Sequence, residues 1–453
     1  MYRRKLMEAL LEWKNTMQGK SALLIEGARR TGKSTIAEEF ARNEYQSYLL
    51  VDWARADDAV KAAFIDNRND IDTLLMYLQA IYGKTLTPRK SLVVFDEVQR
   101  FPQAREMIKY LVADGRFDYL ETGSLISIKR NVEDIVIPSE EESAVLCPLD
   151  FEEWLWALGE EPLATLLRAS FGDKRPLPDA LHRKAMRLWR EYLLVGGMPQ
   201  VVRLYDENRD LGRVDREKRA ILRLYRDDIA RFADGERGRV SAVFSAIPGQ
   251  LSRHEKRFKL AALDKNARMR EYEGAFFWLK DSGIANVCLN ATDPTVGLAM
   301  SQDNATLKCY MGDTGLLVAQ SFADRATTPS EVYRDILLDK LAVNEGMLVE
   351  NAVAQQLRAS GHTLFFFSRS STDKEKRMEI DFLVSREYDN AAGRLRVSPI
   401  EVKSGGGRYA TSSLDKFQRT FGKRIGTSYV LHPKPLRVEG DRVFLPLYMA
   451  HLL

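Results

Sequence analysis

The sequence predicts an α/β protein of several domains, opening on a parallel sheet flanked by helices and closing on a smaller α/β sheet. Three observations predict it. Residues 27–34 read Gly-Ala-Arg-Arg-Thr-Gly-Lys-Ser, a glycine-framed string lying between an apolar run and a helical stretch. A second apolar run, Leu92-Val93-Val94-Phe95, ends in Asp96-Glu97. Near the C-terminus two alternating runs flank a turn-rich segment, with Asp381 on one run and Glu401 and Lys403 on the other.

The first string fits the phosphate-loop pattern G-x-x-x-x-G-K-[ST], and each fixed position has a chemical reason. Gly27 and Gly32 let backbone N–H groups turn inward around phosphates, Lys33 reaches the β- and γ-phosphates, and the Ser34 hydroxyl ligates Mg²⁺. Ala22-Leu23-Leu24-Ile25 before it reads as a buried parallel strand. Residues 35–41 after it read as a helix, whose N-terminal dipole favours phosphate. The expected nucleotide-binding set is Gly27, Arg30, Thr31, Gly32, Lys33, Ser34 and Thr35, with ATP and Mg²⁺ as the cofactors.

With 453 residues, two to four domains are expected. At 45% hydrophobic and 29% charged, the chain has the composition of a soluble globular protein. A net charge of +4 does not by itself imply nucleic-acid binding, though a local basic face can still provide it. Cys147, Cys288 and Cys309 lie far apart, so neither a disulfide framework nor a zinc site is expected. No apolar stretch reaches the length of a membrane span, and the basic N-terminus leads into an amphipathic helix around Leu6, Leu10, Leu11 and Trp13. A cytoplasmic protein with no membrane partner is expected.

The acids after the second strand suit hydrolysis: Asp96 can hold Mg²⁺ through a water, and Glu97 can polarise the attacking water. A third strand runs through residues 116–121 and exits on Thr122-Gly123-Ser124. If it lies beside the phosphate-loop strand, Thr122 or Ser124 sits by the γ-phosphate; the alternative is an ordinary strand exit. Together these motifs resemble the AAA+ class of P-loop ATPases, in particular a prokaryotic group whose loop reads G-x-R-R-x-G-K-[ST]. The resemblance implies Lys33 and Ser34 as Walker A, Asp96 and Glu97 as Walker B, Thr122 or Ser124 as sensor 1, and a three-layer core of parallel sheet between helices. Residues 148–154 match the group's P-[LM]-[SD]-F-x-E segment, but residues 139–143 before it are acidic where relatives carry a basic pair. None of Arg29, Arg30, Arg105 or Arg130 is assigned as an arginine finger.

A Pro-flanked linker at residues 173–179 leads to a helix over 178–195, which stops at Gly196-Gly197-Met198-Pro199. That stop reads either as a helix cap or, by resemblance, as a lid element in which Pro199 touches the adenine. Residues 216–232 read as a charged amphipathic helix with Ile221, Leu224 and Ile229 inward. Residues 240–311, short helices leading to strands near 286–289 and 306–311, resemble a winged helix. In it Arg268, Arg270 and Lys280 are candidate DNA contacts and Phe276, Phe277 and Trp278 are core.

Residues 379–384 and 395–402 read as a strand pair around a turn at 388–394. Antiparallel partners have residue numbers of constant sum, so a turn centred on Ala391 sets Asp381 opposite Glu401, with Lys403 on the same face. A helix over 338–357 carries Glu350. Two facing carboxylates and a lysine form a candidate Mg²⁺ site for phosphodiester cleavage; the alternative is a salt-bridged sheet face. The E…D…E-x-K arrangement resembles the PD-(D/E)XK nuclease superfamily, which implies Glu350, Asp381, Glu401 and Lys403 as catalytic positions, with Asp381 and Glu401 on the metal.

The full order resembles an uncharacterised prokaryotic family of AAA+-type ATPases with a nuclease-like tail. It implies an ATPase core at 1–165, a helical lid at 166–235, a winged helix at 236–325 and a restriction-endonuclease-like domain at 326–453. The expected function couples ATP hydrolysis to that tail in nucleic-acid processing or defence. The alternatives are an ATP-dependent signalling switch or a DNA-binding regulator with a non-catalytic tail. Partners are ATP and, as candidates, DNA, a second copy or another protein.

Overall fold

The computed structural model describes residues 2–124, 140–233, 235–253, 255–295, 297–338, 345–373, 376–386, 396–405 and 411–453. Arg130, the start of the acidic segment at Ser139, the turn expected at 388–394 and residues 339–344 of the expected helix lie outside them. The chain divides into two compact units, Met1–Cys147 and Pro148–Leu453.

The first unit is a parallel sheet of β1 (Ala22–Glu26), β2 (Ser47–Asp52), β3 (Ser91–Asp96), β4 (Asp118–Thr122) and β5 (Glu141–Val145), in the order β2-β3-β4-β1-β5. Its helices are α1 (Leu6–Met17), α2 (Lys33–Glu44), α3 (Asp58–Asp66), α4 (Ile71–Tyr82) and α5 (Pro102–Asp114). The two-residue period of a strand sorts the sheet into two cores. Leu23, Ile25, Leu92, Val94 and Leu120 pack with Trp13 of α1 and Ile36 and Phe40 of α2. The alternate residues, Ala22, Leu24, Val93, Phe95 and Tyr119, pack with Phe64 of α3, Leu75 of α4 and Ile108 of α5. Near-continuous apolar runs are what a sheet covered on both faces requires, so this half is a three-layer α/β sandwich. The acidic segment read as a departure from the family pattern forms β5, an edge strand beside β1.

The second unit opens on helices α6 (Phe151–Ala157), α7 (Glu161–Asp173), α8 (Asp179–Val195), α9 (Pro199–Asn208), α10 (Leu211–Phe232), α11 (Arg237–Leu251) and α12 (Met269–Asp281). It continues through β6 (Ala285–Ala291), β7 (Gln302–Met311), α13 (Thr314–Ser321), α14 (Ser330–Leu337), α15 (Glu345–Ala359), β8 (Phe365–Arg369), β9 (Met378–Arg386) and β10 (Arg396–Val402). Then come α16 (Ser412–Phe421), β11 (Ser428–His432), β12 (Arg437–Glu439) and β13 (Arg442–Pro446), followed by a 3-10 helix at Leu447–Leu452. All eight strands form one sheet in the order β12-β13-β11-β10-β9-β8-β6-β7.

That sheet differs from the expected division at 325. The hairpin β6–β7, read as the wing of a winged helix, pairs through β6 in parallel with β8. It is therefore the edge of the sheet that carries Asp381 and Glu401. The cause is in the strand itself: every residue of β6 is buried, so it needs cover and a partner on both sides. The β9–β10 register runs from Arg386 opposite Arg396 to Phe382 opposite Ile400, the pairing that sets Asp381 against Glu401 next.

Candidate nucleotide site and C-terminal carboxylate cluster

Residues 27–32 connect β1 to α2 through three left-handed backbones, with φ of 147° at Gly27, 68° at Arg30 and 97° at Gly32. At Gly27 a Cβ would stand 2.4 Å from the Leu146 carbonyl oxygen, so close backbone approach demands glycine there. The buried Thr31 donates its hydroxyl to the Ala28 carbonyl 2.9 Å away, and Arg4 donates to the Thr31 carbonyl at 3.0 Å. Lys33 is only 6% exposed and folds back, donating at 3.0 Å to each of the Gly27 and Ala28 carbonyls. An ammonium held over the loop's concavity is placed where a phosphate's charge would draw it. Ser34 lies in the first turn of α2 and hydrogen-bonds Asp96, while Thr35 beside it is exposed.

Asp96 ends β3, and Thr122 ends β4 next to β1, with Thr122 in register with Ile25. The condition for a residue beside the phosphate loop is thus met by Thr122, and Ser124 follows two residues on. Thr122 donates its hydroxyl to Asp96 and accepts the Glu97 N–H at 3.2 Å. Burial raises the Asp96 carboxyl above its ordinary value, against the pull of the Thr122 and Ser34 hydroxyls. Glu97 has a left-handed backbone, φ 55°, a conformation that costs a non-glycine residue about 1–2 kcal/mol. Its carboxylate accepts from Gln99 at 2.5 Å. The Asp96 carboxylate and Ser34 hydroxyl are hard oxygen donors at one place, a set that fits Mg²⁺.

Arg105 is not free to act as a finger in this arrangement. It is 3% exposed, donating to Glu121 at 3.3 Å and to Glu141 at 2.6 Å. Burial, then the neighbouring Glu141, push the Glu121 carboxyl well up, with Arg105 opposing both. Sequence reasoning missed this trio because the partner carboxylates arrive from β4 and β5.

In the second unit the Gly196-Gly197 stop is explained by packing. A Cβ on Gly197 would lie 2.1 Å from the Leu149 carbonyl oxygen, and one on Gly196 2.2 Å from the Asp313 carboxylate. Gly197 donates to Asp313 at 2.6 Å and accepts from Leu149 at 2.7 Å. Pro199 takes the first turn of α9, where its missing N–H costs nothing.

Around the large sheet, α15 packs on β6, β7 and β10. Asn351 fixes its position, accepting from Met311 N–H at 2.7 Å and donating to the same residue's carbonyl at 3.2 Å. This sets Glu350 over β7, where the Tyr310 hydroxyl donates to it. Lys308, two residues earlier on β7 and fully buried, points to the same place. Its Nζ lies 3.2 Å from Glu350, 3.2 Å from Glu379 and 3.5 Å from Asp381. The other Asp381 oxygen accepts the Val402 N–H at 2.9 Å. Glu401 is taken separately, by Lys403 at 2.9 Å.

Glu350 and Asp381 thus meet at Lys308, while Glu401, the next position of the β9–β10 register after Ile400, pairs with Lys403; the acids expected on a metal, Asp381 and Glu401, are each paired with a different lysine. Among the described residues no three His, Cys, Asp or Glu side chains are grouped to hold a metal ion. Burial pulls the Lys308 ammonium down, yet the three carboxylates outweigh it and hold the ammonium above its ordinary value. Burial also lifts the Glu350 and Glu401 carboxyls, with Lys308 and Lys403 respectively pulling back. Glu379 was legible as a same-face neighbour of Asp381; Lys308 and Tyr310, some seventy residues upstream in the strand expected as a wing, were not.

Residues 19–155 match the family described as an AAA domain. Residues 186–327 and 345–450 match two families described as domains of unknown function, DUF8612 and DUF4143. No curated protein matches. A solved structure titled "Structure of Drosophila ORC bound to DNA" is similar at a TM-score of 0.24 and 13% identity, over 70% of this chain and 94% of that one. No helix among the described residues is long and apolar enough to cross a membrane. The parallel five-stranded sheet, the phosphate loop and the family match agree: the N-terminal unit is an AAA-type P-loop domain, of the ATP-binding class.

Proposed function

We propose that the protein is an ATP hydrolase whose nucleotide state is passed to its C-terminal α/β domain. One observation carries the reading: Lys33, Ser34, Asp96, Glu97 and Thr122 gather at one end of the adjacent strands β1, β4 and β3. In this reading the loop N–H groups and Lys33 bind the phosphates, Ser34 and Asp96 hold Mg²⁺, Glu97 orients water and Thr122 steers Asp96 and Glu97. Bound Mg²⁺ supplies charge neutralisation on the phosphates. Lys33→Ala should abolish binding of a fluorescent ATP analogue, and Glu97→Gln should keep binding and stop phosphate release. Normal turnover by Glu97→Gln would overturn the Walker B assignment.

For the C-terminal domain, nuclease action on DNA in nucleic-acid processing or defence rests on the E…D…E-x-K resemblance; a protein partner belongs to the switch reading, and a second copy is a candidate partner in either. The ion pairs of Lys308 favour the other reading, a switch whose tail binds without cutting. Plasmid incubated with ATP and Mg²⁺ or Mn²⁺ decides: cleavage lost in Asp381→Ala and Glu401→Ala restores the nuclease, and intact plasmid under every condition removes it.

A further inference from the structure

We propose that Lys308 is the built-in cation of the C-terminal carboxylate cluster, holding Glu350, Glu379 and Asp381 together without a divalent metal. The residues do not fit Mg²⁺ as they stand. A divalent ion needs oxygens converging at about 2.0–2.1 Å around one point, and here that central point is an ammonium with three carboxylates at 3.2–3.5 Å. A second, doubly charged cation beside this ammonium would be repelled at close range, most strongly on the buried side where Lys308 and Glu350 meet.

The lysine is placed to stay. It has no exposed surface, and its Nζ lies 5.1 Å from the centre of the Phe366 ring. Its neighbour Tyr310 donates to the same Glu350, so one β7 face supplies both partners of that carboxylate. Glu350 is buried and Glu379 and Asp381 are half-buried beside it; without a cation the three would repel one another, and a buried carboxylate such as Glu350 without a partner is costly. The fourth acid, Glu401, pairs with its own lysine, Lys403, at 2.9 Å and not with Lys308. Lysine and metal are alternative answers to one electrostatic problem, and this chain carries the lysine within its own fold.

The test is Mn²⁺ titration of the full chain without nucleotide, followed by electron paramagnetic resonance of free Mn²⁺. Wild type and Asp381→Asn should titrate alike, since neither takes up the ion at this cluster. Lys308→Met should gain uptake of one Mn²⁺ per chain, at least tenfold tighter than wild type, and lose it again on adding Asp381→Asn. Wild-type uptake that Asp381→Asn abolishes would overturn the proposal, as would a folded Lys308→Met that titrates like wild type. Should Lys308→Met fail to fold, the comparison of wild type with Asp381→Asn decides alone. Because no nucleotide is present, failure here leaves the ATPase reading standing.

Discussion

The Thr122 hydroxyl donates to the Asp96 carboxylate, and the same oxygen accepts the backbone N–H of Glu97 at 3.2 Å. One side chain at the end of β4 thus aligns both acids at the end of β3. Thr122→Val keeps the shape and removes both bonds. A hydrogen bond to a charged group contributes about 1.5–3 kcal/mol, so the ATP turnover rate should fall roughly ten- to a hundredfold with little change in nucleotide affinity. Thr122→Ser, which retains the hydroxyl, should recover most of the rate. Steady-state phosphate release together with nucleotide titration checks it; an unaffected rate in Thr122→Val removes Thr122 from the site.

Arg105 supports the same sheet from below by charge. It is the shared partner of Glu121 and Glu141, and all three side chains are nearly inaccessible to water. Removing the arginine leaves two carboxylates facing each other without a cation. Arg105→Met should therefore destabilise the N-terminal unit by about 3–5 kcal/mol, the usual cost of breaking a buried pair. Adding Glu121→Gln should return part of that loss, because it removes the repulsion as well. Thermal denaturation of the single and double variants measures the coupling, and strictly additive effects would show that the trio does not act as a unit.

Local pattern carried far in the first unit and less far in the second. The phosphate loop, β1, β3 and β4 were legible because each strand is a short run with a motif at its end, and burial along nearly the whole run is what a strand covered on both faces shows. The β9–β10 register was legible too, since a hairpin is a local object whose turn sets the pairing. What was not legible was long-range pairing. The parallel contact of β6 with β8 joins strands some seventy residues apart, and no local periodicity distinguishes it from a free-standing wing. Lys308 was missed for the same reason: its partners come from α15 and β9. A lysine inside a strand whose neighbours Leu307, Cys309 and Met311 are apolar was the one available sign.

The Gly196-Gly197 stop gives a sharper test of packing against ligand contact. Any side chain on Gly197 meets the Leu149 backbone, whose N–H is already bonded to the Gly197 carbonyl at 2.7 Å. Backbone cannot move aside as a flexible side chain can, so the loops must part. Gly197→Ala should lower stability by about 2–4 kcal/mol through overpacking and the loss of these buried hydrogen bonds. Nucleotide affinity at saturating folded protein should be unchanged. Loss of affinity without loss of stability would instead favour contact of this segment with the adenine.

His432 makes the second unit sensitive to acid. The ring is fully buried at the end of β11, its Nδ1 accepts the Lys434 N–H at 2.9 Å, and Phe444 packs on its edge. Burial, with the charges of Arg437, Lys434 and His182 adding to it, pushes the imidazole down to about 4. The unfolded chain takes up this proton near pH 6.5, before the folded one does. The neutral ring's contribution is therefore complete above about pH 6.5 and is lost as pH falls through the window down to about 4. His432→Asn keeps an acceptor for the Lys434 N–H and cannot take up a proton there. Carboxylates titrate in both proteins, so the difference between them is the measurement: wild type should lose more melting temperature than His432→Asn between pH 7 and pH 4.5. Parallel curves over that range would place the acid sensitivity elsewhere.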